Sequence, residues 1–175
     1  MIGLLRFVGL LNAAVWFGAT VFFTFGAAPA LGSPEMQHLL SARNFPYFSV
    51  AIDHLLATRF FRWYLVCSLV ALLHLVAEWL YLGKYPKRLW LGLVLGLCLG
   101  GVVQVYGVQS QLKQLHQLRF TRPDLREAAD RSFRAWHTAG TSLEVVLMGG
   151  LLVYLWRVAN PPDQTRFLDA AKIRG

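Results

Sequence analysis

Apolar positions fall in four long stretches that carry hardly any charged residues. A helix of about 20 mostly apolar residues crosses the hydrocarbon core of a bilayer. The pattern therefore predicts four membrane spans, at about 2–28, 61–82, 89–108 and 137–156. Nothing in the chain repeats at a fixed period, so we interpret residues 1–175 as one four-span membrane domain.

The helical pattern of the third span continues beyond its apolar part. Val108, Leu112, Leu115 and Arg119 recur at helical spacing, and Pro123 suits the start of a further helix that leads into the fourth span. We expect spans three and four to extend into a helical hairpin outside the bilayer, at about 109–136. The predicted fold class is an all-α integral membrane four-helix bundle that carries this hairpin.

The connection between spans one and two contains an amphipathic segment. Phe48, Ile52 and Leu55 share one helical face, opposite Asp53 and His54. We expect this segment to lie against the hairpin or in the membrane interface.

Composition supports a membrane protein and narrows the function. Hydrophobic residues make up 56% of the 175 residues, charged residues 15%, and two cysteines cannot provide a disulfide framework. These values exclude a free cytosolic enzyme and a disordered chain. The sequence has no GxSxG elbow, no glycine-rich phosphate loop and no HExxH motif, so we do not expect an enzyme.

The formal net charge of +8 comes from cations that flank the spans. This distribution suits anionic lipid headgroups rather than nucleic acid, which needs one basic stripe with stacking aromatics. Four spans place both termini on the same side as the short loop 83–88, which has three cations and no acid. The positive-inside rule then predicts cytoplasmic termini, in a plasma membrane or a bacterial inner membrane.

Small residues mark one face of the third span. Gly92, Gly96 and Gly100 recur at every fourth position, which allows two helix backbones to approach closely. The partner is either span one, through Ala14 and Gly18, or a second membrane protein, including another copy of this chain.

Ionisable side chains within a span are costly and need a partner or a task. Such residues include His74 and Glu78 on span two and Glu144 on span four. His74 has two interpretations: a single hydrogen bond, for example to Asn12, or a cofactor-binding role as a haem ligand or proton relay.

A polar cluster is expected in the half of the bundle opposite the termini. For Glu144 we expect a hydrogen bond to Gln104, or else an ion pair with Arg59 or Arg62. The cluster either joins helices by hydrogen bonds or forms a ligand site. Its predicted members are His137, Thr141, Glu144, Gln104 and Thr24.

Four of the five histidines fall on the same side as this cluster, which suggests a metal site. The candidate ligands are His137, Glu144 and His54; the alternative is that the histidines outside the spans are simply solvated. A single haem iron cannot join His74 to His137, because their predicted depths differ by roughly 20 Å.

Several short motifs resemble those of a known family. They are Trp16-Phe17-Gly18, Ala28-Pro29-Ala30-Leu31, Phe45-Pro46-Tyr47-Phe48 and a histidine, His137, that opens the fourth span. The chain resembles the four-span membrane family of unknown function that includes a transmembrane protein linked to cisplatin resistance. That family is distantly similar to the copper resistance protein D group. The resemblance implies a four-span architecture, but Gly140 and Glu144 stand where the family pattern has Ser and Asn.

Two functional hypotheses follow. The first is a non-enzymatic scaffold or accessory subunit of a membrane assembly, without a cofactor, which the glycine face, the predicted hairpin and the missing catalytic motifs favour. The second is a copper- or haem-handling membrane protein that uses the polar cluster.

Overall fold

Long helices account for nearly all of the chain that can be described. The structure is a computed structural model that describes residues 2–82 and 88–160, and no strand occurs within these ranges. Predicted features in 83–87 and 161–175, including most of the cation-rich loop, lie outside the described residues. The helical segments, in order, are α1 (Ile2–Phe22), a π-helical turn (Phe23–Ala27), α2 (Ala28–Leu31), α3 (Pro34–Leu82), α4 (Arg88–Val102), a second π-helical turn (Val103–Val108), α5 (Gln109–Thr121), a 3₁₀ turn (Pro123–Leu125) and α6 (Arg126–Ala159).

Four continuous helical stretches are long and apolar enough to cross a membrane: Gly3–Leu31, Arg43–Leu80, Arg88–Thr121 and Arg126–Ala159. We refer to them as the first to fourth long helices. Their outward faces carry large apolar side chains, among them Phe22, which is 71% exposed. Such faces suit contact with lipid chains. The prediction of an all-helical chain with four apolar helices is confirmed.

Local chemistry explains where these helices turn. The first long helix ends at Leu31 before Gly32, and the Ser33 hydroxyl then accepts a 3.3 Å hydrogen bond from the Met36 amide at the start of α3. Arg122 is extended because the following proline disfavours helical geometry at that position. The predicted turn between the third and fourth long helices is therefore confirmed.

The long helices contact one another in a closed order. The first packs against the second and the fourth, and the third also packs against the second and the fourth. Their shared core is aromatic: Trp16 lies edge-on to Tyr64, with ring centroids 4.8 Å apart, and to Tyr154, at 6.1 Å. All three rings are almost completely buried.

Helix α3 begins well before position 61 and has one non-helical residue, Ser41. Its early part contacts α5, as predicted. His54 is buried, whereas Phe48 and Leu55 are exposed, because the polar face of α3 points towards a cavity and a second buried histidine.

The glycine face of α4 is only partly used within the chain. Gly100 packs directly against Leu147 of α6, whereas Gly92 and Gly96 have open space beside their α-carbons. Gly18 likewise has no close neighbour. Of the two alternatives for this face, packing against span one through Ala14 and Gly18 is therefore wrong.

Candidate functional site

A half-open cavity of about 400 Å³ lies between the long helices. Its apolar wall includes Phe23, Phe61 and Leu112. The polar side chains that face the cavity are Thr24, Ser49, Asp53, Gln104, Gln109, His137, Thr141 and Glu144. All five residues of the predicted polar cluster are among them, which confirms that they lie together.

Both π-helical turns lie at the level of this cavity. In the first, the Ala28 amide bonds to the Phe23 carbonyl, and in the second the Gln109 amide bonds to the Gln104 carbonyl. Each bond spans five residues instead of four, which widens the helix locally. The widened turns carry Thr24 and Gln104 into the cavity wall. Single π-helical turns of this kind occur frequently at functional sites.

Glu144 is held by the first long helix. Thr24 Oγ1 donates a hydrogen bond of 2.7 Å to Glu144 Oε1. The expected hydrogen bond from Glu144 to Gln104 is wrong, because Gln104 Oε1 accepts no hydrogen bond from any described residue, while Gln104 Nε2 donates to the Gly140 carbonyl at 3.0 Å. The alternative ion pair is not formed either, since Arg59 and Arg62 are exposed.

Gln104, in the wall of the cavity, has a buried acceptor. The side chain is only 2% exposed, and its Oε1 has no hydrogen-bond partner among the described residues. A buried acceptor without a donor is unfavourable.

A second carboxylate, Asp53, faces the same cavity. It is half-buried, and it lies close enough to Glu144 for the two groups to interact electrostatically. His137 interacts with both carboxylates and stacks on Phe133, with 6.2 Å between the ring centroids. No lysine or arginine is found among the described residues that line the cavity. The site is therefore acidic.

Asp53 is not among the predicted members of the cluster, although the sequence carries a signal for it. Ser49, Asp53, Ala57 and Phe61 recur every four residues and so share one face of α3. All four line the cavity. This series marks the inward face of α3, whereas the exposed Phe48 and Leu55 do not.

The three predicted metal ligands do not form one preformed group. His137 and Glu144 line the cavity, whereas His54 bonds through Nδ1 to Gln109 Oε1 at 3.1 Å. Within residues 2–82 and 88–160, no three His, Cys, Asp or Glu side chains lie close enough together to hold a metal ion.

His74, the predicted cofactor ligand, lies at the other end of the long helices. Its Nε2 is 3.0 Å from the Leu5 carbonyl, and the ring fills the space beside Gly9. Asn12, its expected partner, donates instead to the Cys67 carbonyl at 3.0 Å. A metal bound at His74 Nε2 would have to replace the contact with Leu5.

Glu78 is also paired at this end. Its carboxylate is 3.8 Å from the Arg157 guanidinium, which lies over the Trp90 ring at 5.0 Å. Charge is therefore balanced at this end of the helices, whereas the acidic cavity lies towards the opposite end.

Comparison of the chain with protein-family models, curated proteins and solved structures gives no match in any of the three.

Proposed function

We propose that this protein is a multi-pass membrane protein that binds a small organic cation in the acidic cavity. The observation that carries the proposal is that Asp53 and Glu144 face one cavity whose described lining contains no lysine or arginine. Two nearby carboxylates in a partly apolar space favour a positive charge between them. A bound cation would supply that charge.

The lining also defines the chemistry of the cation. The carboxylates of Asp53 and Glu144 accept hydrogen bonds, so a ligand with N–H groups is favoured over a quaternary ammonium. Phe23 and Phe61 offer apolar contact to the rest of the molecule. The cavity volume falls within the range of ordinary small-molecule sites. The proposed ligand is therefore an amine, amidine or guanidine on an apolar body.

Benzamidine and benzamide form a matched pair of probes. They have nearly the same shape, but only benzamidine carries a positive charge, and amidinium groups can pair with a carboxylate through two N–H groups. We expect benzamidine to raise the thermal unfolding temperature of the detergent-purified protein, and benzamide not to raise it. Equal stabilisation by both compounds, or by neither, would contradict a cation site.

A second candidate function is the scaffold or accessory role, in which the lipid-embedded chain contacts another membrane protein or a second copy of itself. The exposed faces of Gly92 and Gly96 favour it, because these positions have room for a close backbone approach. The third and fourth long helices have 34 residues each, or about 51 Å, against a hydrocarbon core of about 30 Å. We infer that their connected ends project from the bilayer as a docking hairpin.

Disulfide crosslinking tests the glycine face. In a Cys67→Ser, Cys98→Ser background, Gly96→Cys should give a crosslinked dimer in membranes if two copies meet there. Gly149→Cys is a matched control, since Gly149 on α6 is also exposed with no close neighbour. Equal crosslinking at both positions would show random collision and would contradict a specific contact between two copies.

A further inference from the structure

Two buried histidines lie side by side just outside the acidic cavity. His54 on α3 is 9% exposed and His116 on α5 is 4% exposed. Their ring centroids are 6.1 Å apart. Both belong to the four histidines predicted on one side of the membrane, but 62 positions separate them, so their pairing could not be predicted from spacing.

The hydrogen bond of His54 fixes the tautomer of its neutral ring. Gln109 Oε1 is an acceptor only, so His54 Nδ1, at 3.1 Å, must donate a proton to it. In the neutral ring the other nitrogen, Nε2, then carries a lone pair. It has no hydrogen-bond partner among the described residues. Histidines that bind metals are commonly oriented in this way, by a hydrogen bond to the nitrogen that does not bind the metal.

His116 lacks hydrogen-bond partners more completely than His54 does. Both of its ring nitrogens are buried without a hydrogen bond to any described residue. The Tyr47 backbone lies beside the ring, but outside ordinary hydrogen-bond geometry. Buried polar groups without partners are uncommon and need an explanation.

We propose that His54 and His116 together bind one monovalent transition-metal ion, of the kind that is satisfied by two ligands. Metal–nitrogen bonds to imidazole are about 2 Å long, so two rings on opposite sides of one ion have centroids roughly 6 Å apart. The observed separation of 6.1 Å fits this arrangement. The site is distinct from the predicted set of His137, Glu144 and His54, because it uses His116.

The number of ligands decides the kind of ion. Zinc takes four ligands in structural sites and at least three protein ligands in catalytic sites. No group of three His, Cys, Asp or Glu side chains suited to a metal ion occurs in the described part of the chain. Two neutral imidazoles instead suit a d¹⁰ monovalent ion such as Ag⁺ or Cu⁺, which accepts linear coordination by two ligands.

The histidine pair lies beside aromatic rings and adjoins the acidic cavity. Tyr47 stacks on His116 with centroids 5.2 Å apart, and Phe120 lies edge-on to it at 5.1 Å. The nearby Arg119 is paired with Asp130 at 2.7 Å, which offsets its positive charge. Gln109 lines the cavity and also bonds to His54, so the acidic cavity adjoins the pair.

Silver provides a redox-inert probe. The full chain with Cys67→Ser and Cys98→Ser, which removes competing thiols, is equilibrated with Ag⁺ in detergent, desalted and analysed for silver per chain. We expect one ion per chain in this background. In His54→Asn and His116→Asn we expect its loss, since either substitution removes half of the ligand set. His38→Asn is the matched control at an exposed histidine and should keep the ion.

A second measurement keeps all five histidines, so it does not depend on whether a histidine variant folds. In the ¹⁵N-labelled protein, Ag⁺ should shift the imidazole signals of two of the five histidines, those assigned to His54 and His116. Absence of bound silver, silver retained in His116→Asn, or shifts at other histidines would overturn the proposal. Benzamidine binding should persist in His116→Asn, so failure of this site and failure of the cavity proposal are distinguishable.

Discussion

Thr24 and Glu144 are 120 positions apart in the chain, yet Thr24 Oγ1 donates a 2.7 Å hydrogen bond to the Glu144 carboxylate. The bond joins the first and fourth long helices at the edge of the cavity. It also fixes one oxygen of a carboxylate that has no lysine or arginine partner in the described lining. The energy of this bond and the charge of Glu144 can be tested separately.

Thr24→Val tests the bond with little change in shape. Hydrogen bonds between membrane helices contribute about 0.6 kcal/mol on average, and at most about 1.7. We expect the unfolding free energy in detergent to fall by an amount in this range. Thr141→Val is the control, because Thr141 bonds only within its own helix, to the His137 carbonyl. Equal losses in both variants would contradict a specific contribution from the bond between helices.

Gly9→Ala tests the packing of His74. A Cβ at position 9 would lie 2.3 Å from His74 Nε2, and the ring cannot retreat without losing its contact with Leu5. We expect a loss of about 1–3 kcal/mol, the usual cost of overpacking.

Gly18→Ala, on the same helix, is the natural comparison. Its Cβ meets no atom within 4 Å, and alanine is favoured over glycine in a helix interior by about 0.5–1 kcal/mol. We therefore expect Gly18→Ala to be stabilising. Chemical denaturation of both variants measures the difference, and equal stability of the two would contradict the tight contact at Gly9.

Tyr64→Phe tests a buried hydroxyl in the aromatic core. Tyr64 is 2% exposed, and its hydroxyl has no hydrogen-bond partner among the described residues. Removing an unpaired polar atom and keeping the ring should leave the unfolding free energy within about 0.5 kcal/mol of the parent, or raise it. A loss well above about 1 kcal/mol would show that the hydroxyl has a partner.

Glu35 allows a test of pH dependence outside the candidate spans. Hydrogen bonds from its own backbone and from Ser33 lower the pKa of the Glu35 carboxyl from its usual value. A lowered folded-state pKa stabilises the protein above the unfolded pKa, and this stabilisation is lost as pH falls through the folded value. Ser33→Ala should raise the Glu35 pKa in a ¹³C-detected titration. An unchanged pKa would contradict a role for the Ser33 hydroxyl.

The hydrophobic periodicity and the composition of the sequence were sufficient to predict the four long helices. The four apolar stretches, the turn before Pro123 and the continuation of the third helix to Thr121 all follow from spacing that the structure retains. The polar cluster could also be predicted, because ionisable and amide side chains within apolar segments are few and their depths can be compared.

The features that could not be predicted depend on how each helix is rotated about its own axis. The π-helical turns at Phe23–Ala27 and Val103–Val108 change the direction in which the neighbouring side chains point. An apolar sequence gives no sign of such turns. In a membrane helix, large apolar side chains can face lipid, so Phe48 and Leu55 do not mark the inward face of α3. Asp53 and His54 lie on the polar face of this segment, which points inward. Asp53 was therefore not predicted as a member of the site.

Calorimetric titration of benzamidine into the detergent-purified protein tests the central claim, an acidic cavity that binds an organic cation. A hydrogen bond to a charged group contributes about 1.5–3 kcal/mol, so Glu144→Gln should weaken binding by roughly tenfold to 100-fold. Glu127→Gln is the matched control, since Glu127 is an exposed carboxylate on the same helix. We predict that it binds benzamidine as the parent protein does. Unchanged affinity in Glu144→Gln, or an equal loss in both variants, would contradict the account.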